Sequence, residues 1–232
     1  MGVLRMRCAR FVFRGGGPVQ KMARKPRMGA IVKAAQCYRD NLLNRNILPI
    51  GVNRDGAVGA VQLRFLMRHF KHLTGVRTRT KILANDFFNR AMEGRLPEDE
   101  IMPDQSGFAE LKLKAAGFMF KPDLAVTAFG EPSGARLHVE VDEFAGNSCA
   151  SLGFTEDHEW FDPVTILSSP IGDETLKQRR FRVAAVFPKG VGDSCYGAPS
   201  KVALKDGDNW EKIVAKLPPS LSYLSLDADE GA

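Results

Sequence analysis

Along residues 121–143, KPDLAVTAFGEPSGARLHVEVDE, apolar and polar side chains alternate. Leu124, Val126, Ala128, Leu137, Val139 and Val141 fall on one side; Asp123, Ala125, Thr127, Arg136, His138, Glu140 and Asp142 fall on the other. A period of two is the mark of a half-buried strand. The pattern therefore predicts two strands, over 123–129 and 136–142, closed into a hairpin by the turn-rich 130–135. In that register Phe129 faces Arg136, Ala125 faces Glu140 and Asp123 faces Asp142. The carboxylates of Asp123, Glu140 and Asp142 then share one end of one face. Like charges directly opposite destabilise a sheet, so such a face is either well solvated or holds a cation.

Elsewhere the period lengthens. Residues 30–44 carry Ile31, Ala34, Ala35, Tyr38, Leu42 and Leu43 near helical spacing. Residues 49–59 are rich in turn formers and predict a connector. A second helix is expected over 58–73, with Val61, Phe65, Leu66 and Phe70 on one stripe and Arg64, Arg68, Lys71 and His72 mainly off it. A third is expected over 78–94, ending at Gly94, and a fourth from a Ser106 cap to Ala116. Residues 145–163 read as irregular and acidic. Ser169 and Pro170 then start a helix that runs to about Arg180, with Lys177, Arg179 and Arg180 suiting its C-terminus. The apolar run 183–187, VAAVF, is a buried strand. A short helix over 210–217 ends at Pro218. Strand, crossover helix and parallel strand would form one right-handed unit, and the fold class is α/β (α+β).

Composition narrows the picture modestly. The 232 residues are 44% hydrophobic and 26% charged, ordinary globular values that exclude neither a sizeable core nor an enzyme. Net charge is +6, compatible with a nucleic-acid partner. Cys8, Cys37, Cys149 and Cys195 are dispersed, with no CxxC pair, so neither a zinc knuckle nor a disulfide framework is indicated. No apolar run approaches the roughly 18 residues of a membrane span, and no membrane partner is expected. The first acidic residue is Asp40, and ten Lys or Arg residues precede it. Such a start reads as a basic arm lying on nucleic acid or as a transit peptide. An intracellular setting follows from the cysteines, with a mitochondrion or another organelle as the address a transit peptide would give. The expected organisation is a basic arm over 1–28, a helical region over 29–118, a core over 119–223 and an acidic tail over 224–232. Arg64, Arg68 and Lys71 are expected to contact phosphates. His69 and His72, in HFKH, read as part of the same basic surface.

Pro122-Asp123 followed at hairpin spacing by VEVDE at 139–143 resembles the PD-(D/E)XK, or restriction-endonuclease-like, superfamily, most closely its very-short-patch-repair branch with virus-borne members. Glu174 and Arg179 in ETLKQRR, Phe187-Pro188, Asp193-Ser194, Tyr196, Trp210 and Leu217 add looser matches, so the likeness covers roughly residues 119–217. It implies a restriction-endonuclease-like core of hairpin, crossover helix and parallel strand, while the helical region before it has no counterpart in that family. It also implies a metal-dependent nuclease acting on DNA or RNA. Asp123, Glu140 and Asp142 would hold Mg²⁺ or Mn²⁺, since such ions take hard carboxylate oxygens and activate water. His138, or His158, would orient the water. Arg136, Lys177 and Arg179 would hold phosphates as charged donors. This chain has Gly146 where the family carries His. The alternative is a non-catalytic nucleic-acid-binding or organellar ribosome-associated protein on the same fold.

Overall fold

The computed structural model describes residues 25–104, 106–134 and 139–226. The basic arm up to residue 24, the tail from 227, and Arg136 and His138 lie outside the described residues.

The first helix forms where its period places it. Helix α1 (Met28–Asn41) buries Ile31, Ala34, Ala35 and Tyr38. The next segment departs from expectation. Strand β1 (Arg45–Val52) replaces the connector, and β2 (Val58–Ala60) and β3 (Leu63–Phe65) replace the first half of the second helix. Only a short 3-10 turn, Met67–His69, and α2 (Phe70–Thr74) are helical there. The physical reason is burial on two faces. Ile47 faces the main core while Leu48 and Ile50 face a second one, so β1 shows no alternation of apolar and polar residues. Helices α3 (Ala84–Met92) and α4 (Phe108–Met119) follow as expected in kind.

The second half is mostly strand. Strands β4 (Ala128–Pro132), β5 (Glu143–Gly146), β6 (Ser151–Asp157) and β7 (Trp160–Leu167) precede a single turn, α5 (Ile171–Glu174). The long β8 (Thr175–Gly190), the short β9 (Lys201–Val202) and α6 (Trp210–Val214) complete the order. The strands run β1-β3-β7-β6-β5-β4-β8, and β8 pairs back on β1 along Arg45–Val52. The result is a closed seven-stranded mixed barrel, with β2 and β9 as additional strands. β3 and β7 are its parallel pair, through Leu63 and Phe161. This corrects the restriction-endonuclease-like α/β core. The expected crossover helix over 170–180 stops after one turn, because residues 175–182 pair with β4 and 182–190 with β1. Ladder pairing overrides the local Ser-Pro start signal.

The predicted hairpin is also corrected. Residues Pro122–Ala125 form a 3-10 turn, with Asp123, Leu124 and Ala125 at φ of 57°, 57° and 45°. Phe129 pairs with Ala145 rather than Arg136, and Gly130 with Phe144. The partner of β4 is thus the apolar Phe144–Gly146, which is buried, and residues 139–142 lead into it. A period of two fixes which faces a strand has, not which segment pairs with it.

Two cores hold the barrel. The larger lies between α1, α3, α4 and the barrel, with Tyr38 ringed by Phe65, Phe70, Phe88 and Phe120 at centroid distances of 5.2–6.3 Å. Its hydroxyl donates to the Leu66 carbonyl at 2.8 Å, so the buried polar end is satisfied. The smaller core packs Leu48, Ile50, Ala185 and Phe187 against Ile213, Leu217 and Leu221. Gly51 sits where β1 passes the stacked rings of Phe129 and Phe181, and a Cβ there would lie 2.6 Å from the Arg182 carbonyl oxygen. Among the described residues no helix is long and apolar enough to cross a membrane.

Candidate functional site

Helix α2 ends at Gly75, whose φ of 65° closes it in the left-handed conformation. Glycine adopts that conformation without the Cβ penalty. The chain then runs irregularly through VRTRTK, residues 76–81, with a bend at residues 79 and 80. Val76, Thr78 and Thr80 alternate with Arg77, Arg79 and Lys81. Three contacts pin this segment: Thr78 bridges Ile101, the Arg79 N–H donates to the Glu100 carbonyl at 2.8 Å, and the Met102 N–H donates to the Arg77 carbonyl at 3.0 Å. Glu100 also accepts from the Thr80 N–H at 3.0 Å and its hydroxyl at 2.8 Å.

Between α2 and this segment lies a cleft of about 460 Å³, lined by Lys71, His72, Arg77, Thr78, Arg79, Thr80 and Lys81, with Met102 at its edge. Lys71 Nζ donates to the Ile82 carbonyl at 2.5 Å and lies 5.7 Å from the Phe87 ring centroid. Among the described residues none of Lys71, Arg77, Arg79 and Lys81 forms an ion pair with a carboxylate. From the far side, Lys112 of α4 donates to the His72 carbonyl and to Thr165 Oγ, both at 3.3 Å. Burial lowers the Lys112 amine. Desolvation, then the charges of Lys71 and Lys112, lowers the His72 imidazole from its usual value, although its side chain reaches solvent. Neutral imidazole in a cationic setting is a proton acceptor near neutral pH.

Gly75 also fixes Lys112, because a Cβ there would meet Lys112 Cδ at 2.7 Å. Gly75→Ala is therefore expected to cost about 1–3 kcal/mol through its positive φ. It should also displace Lys112 from His72. Chemical denaturation of this variant, beside Gly94→Ala at a glycine with open space around it and φ of 66°, separates the steric part from the conformational one.

The predicted site residues do not converge. Among the described ones, Lys71 alone lines the cleft. Arg64 and Arg68 instead surround Asp162 on β7: Arg64 Nε and Nη2 donate to it at 2.8 and 2.9 Å, and Arg68 Nη2 at 2.9 Å. His69 Nδ1 accepts the Leu66 N–H at 3.2 Å, which leaves its proton on Nε2, 3.3 Å from the same carboxylate. Asp123 lies in its turn with Oδ1 accepting from Ser200 Oγ at 2.5 Å. Asp142 accepts the Glu156 N–H at 2.8 Å, and Glu140 is exposed on the approach to β5. Arg179 is bonded to Glu131, and Lys177 is exposed on β8. Glu143, next in the VEVDE string, is a shielded carboxyl that burial and then Glu131 push up to about 8. Among the described residues no group of three or more His, Cys, Asp or Glu side chains is placed to hold a metal ion. Asp123, Glu140 and Asp142 thus do not fit the expected metal set.

A closed mixed barrel flanked by helices, with a strongly cationic cleft on its helical side, has the features of a polyanion-handling domain. The chain belongs to the family described as phage-Barnase-EndoU-ColicinE5/D-RelE like nuclease4, whose model matches residues 30–158. The match contains the whole cleft and Lys112. It marks the chain as a nuclease-like domain, which implies a nucleic-acid substrate, and it replaces the PD-(D/E)XK assignment. No curated protein and no solved structure matches the chain.

Arg79 and Lys81 were missed because residues 78–94 read as one helix; His72 was read only as part of a basic surface, and Arg77 and Lys112 drew no reading. The alternation in VRTRTK was the available signal: β-branched residues against cations at period two, directly after a glycine.

Proposed function

We propose that the chain cleaves RNA in the basic cleft, by general acid–base chemistry on the phosphodiester. The observation that carries this reading is the donor set: a pKa-lowered imidazole among Lys71, Arg77, Arg79 and Lys81, none of which is ion-paired among the described residues. Such a set binds phosphate and moves protons. A site of that kind is most effective when the nucleophile is already attached to the substrate, since intramolecular attack lowers the barrier by several kcal/mol. The ribose 2′-hydroxyl is that nucleophile, and DNA lacks it.

His72 takes the 2′-hydroxyl proton. The oxygen attacks the adjacent phosphorus, and the 5′-oxygen of the next nucleotide leaves with a proton from a neighbouring donor. Arg77, Arg79 and Lys81 face the extra negative charge that builds on the phosphoryl oxygens, and charged donors strengthen as that charge grows. Lys112 acts as a positioning residue, holding the His72 backbone against Thr165.

Binding gives the first test. For the double variant Arg77→Ala, Arg79→Ala, affinity for single-stranded RNA should fall, and the slope of log affinity against log salt should shrink by about 1.4, at roughly 0.7 per lost phosphate contact. Fluorescence anisotropy at four salt concentrations reads both. An unchanged slope places the phosphates elsewhere.

A further inference from the structure

Helix α4 is apolar on two faces, and the barrel uses one of them. Ala109, Ala115, Ala116 and Met119 are buried in the main core. Phe108, Leu111 and Phe118 are left 54%, 50% and 43% exposed on the outer face. Contiguous exposed apolar surface marks an interaction site. A pair of charges flanks this face. Glu110 and Lys114 are one turn apart beside the stripe, and neither forms an ion pair among the described residues.

We infer that this face is where two copies of the chain pair, α4 against α4 and antiparallel, about a two-fold axis level with residue 112. The charges select both occupant and direction. With that axis, Glu110 of one copy lies against Lys114 of the other, and the contact occurs twice by symmetry. A parallel pairing would set Glu110 level with Glu110 and Lys114 level with Lys114, and like charges repel. A nucleic acid would gain nothing from Glu110 or from the aliphatic Leu111. The surface is self-complementary and small, so the dimer is expected to form at concentrations on the order of micromolar.

Sedimentation equilibrium on the full chain, over roughly 1–100 µM, tests this. A monomer–dimer equilibrium is expected. Leu111→Glu should raise its dissociation constant at least about tenfold, as loss of a central apolar anchor does. Glu110→Lys should weaken it similarly through Lys–Lys contacts, while the swap Glu110→Lys, Lys114→Glu should restore affinity to within about threefold. All these positions are exposed, and circular dichroism verifies that each variant stays folded. A full chain monomeric throughout, a dimer indifferent to Leu111→Glu, or a charge swap that fails to restore pairing overturns the proposal. So does a monomeric chain in which Leu111→Glu abolishes RNA binding, since the stripe would then serve the substrate.

Discussion

His72→Ala is expected to slow RNA cleavage by about 10²–10⁴-fold, the contribution typical of a positioned general acid–base group. Affinity for RNA should stay within about threefold of the parent, because the phosphate-binding charge of Arg77, Arg79 and Lys81 is untouched. The pH profile of the parent adds an independent readout. Desolvation and two neighbouring cations lower the imidazole, so its neutral form persists to lower pH than in a free histidine. The rate should therefore rise with pH through a midpoint below about 6.5, the ordinary histidine value. Its acid limb should be absent in His72→Ala. Lys112→Met should move the rate without removing that limb, since Lys112 positions the His72 backbone rather than exchanging the proton.

Asp162→Ala carries the largest expected effect on stability. Asp162 joins β7 to Arg64 of β3 and to Arg68 and His69 of the turn that follows, beside the single parallel pairing of the barrel, Leu63 with Phe161. Its side chain is 14% exposed and that of Arg64 17%. Removing one partner of a buried ion pair costs about 3–5 kcal/mol, because the remaining charge is left without compensation. For a chain of this size that is a fall in melting temperature of roughly 6–20 °C. Asp157, 2.6 Å from Arg64 Nη2, moderates the loss toward the lower figure. Burial works to raise the Asp162 carboxyl, but the nearby His69 imidazole and the bonds from Arg64 and Arg68 hold it well below the usual carboxylate range. A folded value below the unfolded one means the stabilisation is present above about pH 4 and is lost as acid brings the pH down through the folded value. The gap between parent and Asp162→Ala should therefore be widest near neutrality and close in strong acid. Thermal melts across pH measure it.

These residues show what the sequence reveals and where it stops. Helices α1 and α4 are legible because each has one face in the main core, and the buried run at 183–187 is legible because it is apolar on both faces. β1 is not, because Pro49 and Gly51 interrupt its apolar residues and the turn formers that follow them, Asn53, Asp55 and Gly56, make the stretch read as a connector. The alternation over 121–143 is real, yet Phe129 pairs with Ala145, outside the segment that alternates. Pro122-Asp123 and VEVDE are short strings whose spacing mimics a hairpin. In the fold they occupy a left-handed turn and the lead into β5. A nuclease was legible, but not its fold or family. Of the site, Lys71 was found by charge alone. Arg64 and Arg68 share that charge, and the sequence does not show that Asp162, nearly a hundred residues away, engages both.

If the cleft cuts RNA through the substrate's own 2′-hydroxyl, the sugar of the substrate decides whether it is cut. An end-labelled RNA oligonucleotide and the same strand with deoxyribose throughout, each incubated with the full chain in excess chelator, test it most directly. Expected are cleavage of the RNA with a 2′,3′-cyclic phosphate at the new end, no cleavage of the deoxy strand, and RNA cleavage at least about 100-fold slower with His72→Ala. Cleavage that needs added Mg²⁺ or Mn²⁺, that proceeds equally on the deoxy strand, or that is as fast with His72→Ala as with the parent would contradict this reading.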